Sequence, residues 1–169
     1  RAFMRDLLQR VEAAGFQALV LTVAAPVHGA RDRERRAGYQ LPPHLRAVNL
    51  GGLKKPVDVA PGQSVLFDGL MPRAATWADI DWLRAHSPLP LLLKGVTHPD
   101  DARDAVARGV TGLIVSNHGG RTLDTLPPTA ALLPPLRAAV GPDVPLLVDG
   151  GIRRGTDVLK AIALGANAV

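Results

Sequence analysis

Apolar residues along this chain follow two rhythms. In residues 1–14, Phe3, Met4, Leu7, Leu8 and Val11 share one face of a 3.6-residue period, with arginines and acids opposite. That spacing predicts a helix, and Gly15 fits its C-terminal stop. Residues 18–23 form a short apolar run with the length and composition of a buried parallel strand. The alternation returns at Thr76, which caps a helix carrying Ile80, Trp82 and Leu83. Strands are predicted at 90–95, 112–116 and 145–149, and helices at 99–108, 129–140 and 156–164. Asp100 and Asp101 sit in a first helical turn, where the helix dipole favours acids. Pro134 and Pro135 predict a break or kink in the helix at 129–140. Ala168-Val169 opens one more strand.

Strands and helices alternating through short connections predict parallel βα units, with four strands complete and a fifth begun. Flavodoxin-like and Rossmann-like folds use the same alternation, so periodicity leaves the architecture open. Residues 24–75 break the pattern. They are rich in Pro, Gly and Arg, without sustained periodicity, and form a long variable loop or lid.

Composition narrows the classes. The chain has 169 residues, 47% of them hydrophobic, enough for one domain with a core. It has no cysteine, hence no disulfide framework, thiolate nucleophile or zinc–thiolate site. No apolar run approaches the about 20 residues needed to span a bilayer, and no charged-then-apolar leader opens the sequence. The expectation is a cytoplasmic protein without a membrane span. A net charge of +5 raises nucleic acid as a partner, but aromatics are only 4% and do not interleave with the basic residues. Such scattered arginines suit small anionic ligands equally well, and without that footprint no nucleic-acid partner is expected.

Candidate chemistry lies where the apolar strands end: Thr22, Lys94, Ser116-Asn117-His118 and Asp149. In (β/α) barrels such positions face one shared site. Singly, each has a plain structural role open to it, Thr22 as a strand-end hydrogen bonder and Lys94 reaching out to water. The segment from Ser116 to Asp124 combines adjacent glycines, which allow close backbone approach, with a histidine that exchanges protons near neutrality. Its arginine, Arg121, can fork onto a carboxylate. The turn Asp149-Gly150-Gly151-Ile152-Arg153-Arg154-Gly155 leads into a helix, where backbone N–H groups and arginine suit a phosphate.

Three blocks in this order and spacing resemble the FMN-dependent α-hydroxy-acid dehydrogenase/oxidase family. They are Lys94-Gly95, Val115-Ser116-Asn117-His118-Gly119-Gly120-Arg121 and the run from Asp149 through Val158. Glycolate oxidase, lactate oxidase and mandelate dehydrogenase belong to that family, and all are TIM barrels. The resemblance covers nearly the whole chain, weakest over 48–75, and implies an α/β fold forming about strands 4 to 8 of a (β/α)8 barrel, with residues 1–169 a partial family domain. It implies FMN as cofactor and a small 2-hydroxy acid as substrate, oxidised to the 2-oxo acid. Thr22, Lys94, Ser116, Asp149, Gly150, Gly151, Ile152 and Arg153 match the family's flavin contacts. Lys94 matches the lysine beside the N1/C2 carbonyl edge, where positive charge favours the reduced ring. Arg31 and Arg121 match the arginines associated with the substrate carboxylate, and His118 matches the catalytic base. No metal is implied, and the family's habit of forming tetramers implies a homo-oligomer.

Two departures stand out. The family usually carries an aspartate at the position of Ala24, which pairs with the catalytic histidine; a methyl group accepts no hydrogen bond. A whole barrel needs about 250 residues, so the early strands are expected to lie outside this chain. Two other readings compete. One is a different phosphate-binding TIM barrel, such as an IMP dehydrogenase-like enzyme or a flavin-dependent isomerase, against which the Ser116–Arg121 block counts. The other is a non-catalytic remnant retaining a flavin- or anion-binding surface. His28, His44, His86 and His98 lack metal-ligand spacing, and Trp77 and Trp82 are expected in packing roles.

Overall fold

A computed structural model describes residues 1–26, 29, 31–46, 48–50 and 59–169 of the chain. Helix α1 (Ala2–Ala13) leads to β1 (Leu19–Thr22), and a five-residue helix α2 (Asp32–Arg36) follows. The regular part continues with α3 (Trp77–His86), β2 (Leu91–Lys94), α4 (Pro99–Ala107) and β3 (Gly112–Val115). It ends with α5 (Thr129–Val140), β4 (Leu146–Val148) and α6 (Gly155–Ala163). Apart from α2, which lies in the stretch read as a loop or lid, each of these lies within a residue or two of the sequence expectation.

The four strands form one parallel sheet in the order β1-β2-β3-β4. Parallel neighbours joined by right-handed crossovers, always stepping in the same direction, place every intervening helix on the same face. A doubly wound sheet reverses direction and covers both faces. The observed order therefore resolves the architecture left open by periodicity: it is a segment of a barrel wall. Ala168 bridges Leu147 in parallel, so the predicted fifth strand begins where expected.

Side chains alternate across the wall because strands have period two. Leu91, Leu93, Leu113, Val115, Leu146 and Val148 are buried and face the helices. There they meet Leu8 of α1, Ile80 and Leu83 of α3, Ala102 and Ala105 of α4, Leu132, Leu133 and Leu136 of α5, and Ala161 of α6. The alanines of α4 let that helix approach closely. The opposite face carries Val20, Thr22, Leu92, Lys94, Ile114 and Leu147, none of them buried. Trp77 and Trp82 pack against the core, as expected.

Pro134 and Pro135 do not break α5, which runs through both. Each removes one N–H from the helix ladder. Both prolines face solvent, while Leu132, Leu133 and Leu136 on the other side anchor the helix in the core. Burial of three leucines, roughly 1.5–3 kcal/mol apiece, outweighs the lost bonds.

Part of residues 24–75 has local structure. Besides α2 there are a 3-10 turn at Val48–Leu50, a π-helical stretch at Val65–Leu70 and a 3-10 turn at Met71–Arg73. Arg31–Glu34 thus begins a helical piece, and the rest of the acid–base run 31–36 is largely exposed. The expectation for His28 lies outside the described residues. His86 ends α3 and His98 caps α4 through Nδ1, which accepts from the Asp100 N–H at 3.2 Å.

At the end of the wall away from the candidate site, Arg137 ties three elements together. Its Nε donates to the Gly165 carbonyl at 2.8 Å, one Nη to Val144 O at 2.9 Å, and the other to Asn167 Oδ1 at 2.6 Å. Asn167 Oδ1 also accepts from the Leu146 N–H that starts β4. Replacing Arg137 by Met strips donors from several partly buried acceptors at once. It is expected to lower stability by about 3 kcal/mol in urea unfolding, whereas a loss under about 0.5 kcal/mol would show the contacts to be incidental.

Candidate functional site

The strand register decides which polar residues meet. Thr22 pairs with Lys94, and Lys94 with Ile114, so Thr22 and Lys94 share the open face at the C-terminal strand ends. Val115 pairs with Val148, which brings the following residues, Ser116 and Asp149, side by side. Lys94 reaches both of them. Its Nζ donates to Ser116 Oγ at 2.7 Å and pairs with Asp149 Oδ2 at 2.7 Å. Ser116 is fully buried, and its oxygen also accepts the His118 N–H at 3.1 Å. Three strand ends are thereby joined by one cation.

Asp149 responds to this surrounding. Burial pushes its carboxyl pKa up, but hydrogen bonds from Lys94 and Ser116, with the charge of Lys94 and the neighbouring His118 side chain, bring it below the ordinary value. Asp157 is also lowered, chiefly by hydrogen bonds from the backbone N–H groups of Arg153 and Arg154. That second carboxylate refines the reading of the glycine turn. The N–H groups of Arg153 and Arg154 are engaged with Asp157 Oδ2 at 3.1 and 3.0 Å. An anion arriving there meets the guanidinium of Arg153, which has no ion pair among the described residues. Gly150 and Gly151 have φ of +93° and +75°, a region where side chains are strained. Open space surrounds Gly151, leaving bare backbone for a ligand.

His118 stands on a strained turn. Its φ of +56° makes it the one non-glycine residue in the left-handed region among those described. The loop enforces this conformation. Asn117 Oδ1 accepts from Gly119 N–H at 3.1 Å, and the Asn117 amide donates to Pro127 O at 3.3 Å. Asn117 is therefore a positioning residue whose role spacing alone did not reveal; an Asn before His-Gly-Gly was its only signal, through the side-chain turns Asn favours. The His118 Nδ1 is buried and has no hydrogen-bond partner among the described residues. Such an orphaned nitrogen is what the alanine at position 24 leads one to expect. Ala24 instead packs on Gly95, where any added Cβ would lie 2.2 Å from the Ala24 methyl.

The two arginines also meet. Gly29 lies so close to the Arg121 carbonyl that a Cβ there would be 2.0 Å from the oxygen. This backbone contact draws the segment after β1 onto the segment after β3. Arg31 Nη1 and Arg121 Nη2 then converge on Glu34, at 3.3 and 3.4 Å. The sequence alone did not single out Glu34, because acids interleaved with arginines, here Asp32 and Glu34, read as solvated charges. No cluster of potential metal ligands occurs among the described residues. No helix described is long and apolar enough to cross a membrane.

A barrel wall carries a lysine, a histidine and convergent arginines at its strand ends, beside a glycine-rich turn whose Arg153 has no ion pair among the described residues; these groups could hold an anionic cofactor and a carboxylate. The chain belongs to the FMN-dependent dehydrogenase family, which it matches over residues 1–169. FMN is that family's cofactor. Among its relatives is an L-lactate oxidase of Alicycliphilus denitrificans, 49% identical over 97% of this chain and 46% of the relative. A glycolate oxidase of Zea mays is 43% identical over the whole chain and 47% of the relative. Mandelate oxidase in complex with benzoyl-formic acid superposes with a TM-score of 0.81 at 44% identity, covering 98% of this chain and 44% of that one. The chain thus spans a little under half the length of the relatives it matches. Another mandelate oxidase structure contains a C4a-OH-FMN adduct.

The lowered pKa of Asp149 has a consequence with a definite sign. A carboxyl whose native pKa lies below its unfolded value stabilises the fold above roughly pH 4, and that contribution fades as pH falls through the native value. Asp149→Asn is expected to lower the melting temperature at neutral pH, with the gap from the parent protein closing as pH falls below the ordinary carboxylate range. A gap independent of pH would rule out the ion pair as its source.

Proposed function

We propose that this chain is the C-terminal part of an FMN-dependent oxidoreductase that converts a small 2-hydroxy acid into the 2-oxo acid. The observation that carries this reading is the convergence on one strand-end mouth of Lys94, His118 and the Arg31–Arg121 pair, from loops far apart in sequence. The residues present suit the cofactor. Thr22, Lys94, Ser116 and Asp149 would face the ring system, and Gly150, Gly151, Ile152 and Arg153 the ribityl chain and phosphate. Bound FMN supplies the two-electron acceptor that the side chains lack. The Lys94 charge, held in place by Ser116 and Asp149, would favour negative charge on a flavin bound beside it.

The remaining steps belong to the protein. Arg121, with Arg31, holds the substrate carboxylate through fixed donor forks. This fixes the hydroxyl-bearing carbon relative to His118. His118 takes the proton released as that carbon is oxidised, so the imidazole becomes charged in the transition state. The left-handed turn sets the ring's position before substrate arrives, and the strain, of order 1–3 kcal/mol, is held by the Asn117 bonds. Strands beyond this chain would close the open face around Val20. Self-association and a cytoplasmic location belong to the same proposal.

A second reading is favoured by the orphaned Nδ1. A charged imidazole without an acceptor is a poorer destination for a proton, and a chain with Ala24 would then keep a flavin- or anion-binding surface with little turnover. Losing a hydrogen bond to a charged group costs roughly 1.5–3 kcal/mol, or about ten- to a hundredfold in rate.

FMN titration, followed by quenching of flavin fluorescence, tests the cofactor assignment. Saturable binding weakened by Arg153→Met is expected; quenching that is absent or indifferent to Arg153 overturns it. Anaerobic mixing with 2-hydroxy acids tests the chemistry. Flavin bleaching lost in His118→Asn supports the oxidoreductase, while FMN binding without bleaching by any 2-hydroxy acid favours the non-catalytic surface. Ala24→Asp is expected to speed bleaching about ten- to a hundredfold, and an unchanged rate would dispose of the missing-acceptor account.

A further inference from the structure

The arginine pair already holds a carboxylate, and it is the protein's own. Glu34 extends from α2 so that Oε2 lies 3.3 Å from Arg31 Nη1 and Oε1 lies 3.4 Å from Arg121 Nη2. Each oxygen serves one guanidinium, as the two oxygens of a bound acid would. Glu34 and Arg121 are 87 residues apart in sequence, so the contact is a tertiary one. The three side chains surround a cleft of about 240 Å³ together with Asp32 and Arg33.

We propose that Glu34 is an internal carboxylate that occupies the Arg31–Arg121 anchor before substrate binds and is exchanged for the substrate's carboxylate, with α2 acting as a displaceable strap. The inference rests on reading the arginine pair as the substrate anchor.

Three observations suit exchange rather than a permanent tie. The contacts are longer than the about 2.7–2.9 Å of strong charge-assisted bonds. The side chains of Arg31, Glu34 and Arg121 are 47%, 41% and 56% exposed, so water screens the attraction. Helix α2 has only five residues and buries none of them, so its displacement leaves the core intact. The strap's base is nevertheless fixed, since Gly29 is packed against the Arg121 carbonyl.

Competition has a simple signature. An internal ligand that occupies the site reduces apparent affinity by the fraction of molecules in which the site is free. Removing its charge therefore tightens binding of an external carboxylate. A residue that merely orients the arginines does the opposite, because its loss leaves them unplaced.

The test uses the full-length, FMN-loaded protein with oxalate as an unreactive carboxylate probe, its Kd measured by calorimetry. Glu34→Gln is expected to bind oxalate roughly two- to tenfold more tightly, from the worth of two exposed ion pairs. FMN stoichiometry measured alongside confirms that the variant is folded. Arg121→Met is expected to weaken oxalate binding by roughly tenfold or more. If Arg121→Met weakens binding while Glu34→Gln leaves it unchanged or weaker, the strap is overturned and the anchor reading stands. If Arg121→Met has no effect, the anchor itself fails, and the strap with it.

Discussion

Lys94 is the cation on which the site depends. It projects from the last residue of β2 onto the open face of the wall, between a buried serine just after β3 and an aspartate just after β4. A lysine there without partners would leave a partly buried charge unmatched and Asp149 a like liability. Together they form a network in which each member satisfies another. The Ser116 oxygen accepts from Lys94 and from the His118 N–H, so the same atom that steadies the cation also helps to start the histidine turn. Lys94, Asp149 and the His118 turn are thereby coupled through one hydroxyl.

The loops above that network are shaped by close backbone approach. Gly29 against Arg121 and Gly95 against Ala24 each leave no room for a side chain. The first contact brings the arginines together, and the second fixes the chain just where an acceptor for His118 is missing. Burial of Nδ1 without a partner is a local debt in the energy of the fold. Such debts collect at sites of chemistry, where the surroundings over-determine the geometry.

Much of the wall was legible in one dimension. Period-3.6 and continuous apolar segments marked five helices and four strands, since burial on one helix face or on both strand faces leaves that pattern in any sequence. The ends of the strands carried the site, and three motif blocks pointed to its class. That α5 stays unbroken at its prolines was decided by tertiary contact: Pro134 and Pro135 both face solvent, and leucines on the other side hold the helix through them.

By itself, the sequence determined the βα alternation, the residues at the strand ends and the absence of an acceptor side chain at position 24. Those properties are local, written in the spacing and identity of neighbours. Tertiary structure alone decided that the sheet steps in one direction, that Asp157 takes the amides a phosphate would have found, and that Glu34 lies between two arginines. Each depends on which backbone approaches which across tens of residues. Such approaches are set by strand register and glycine contacts, which no periodicity records.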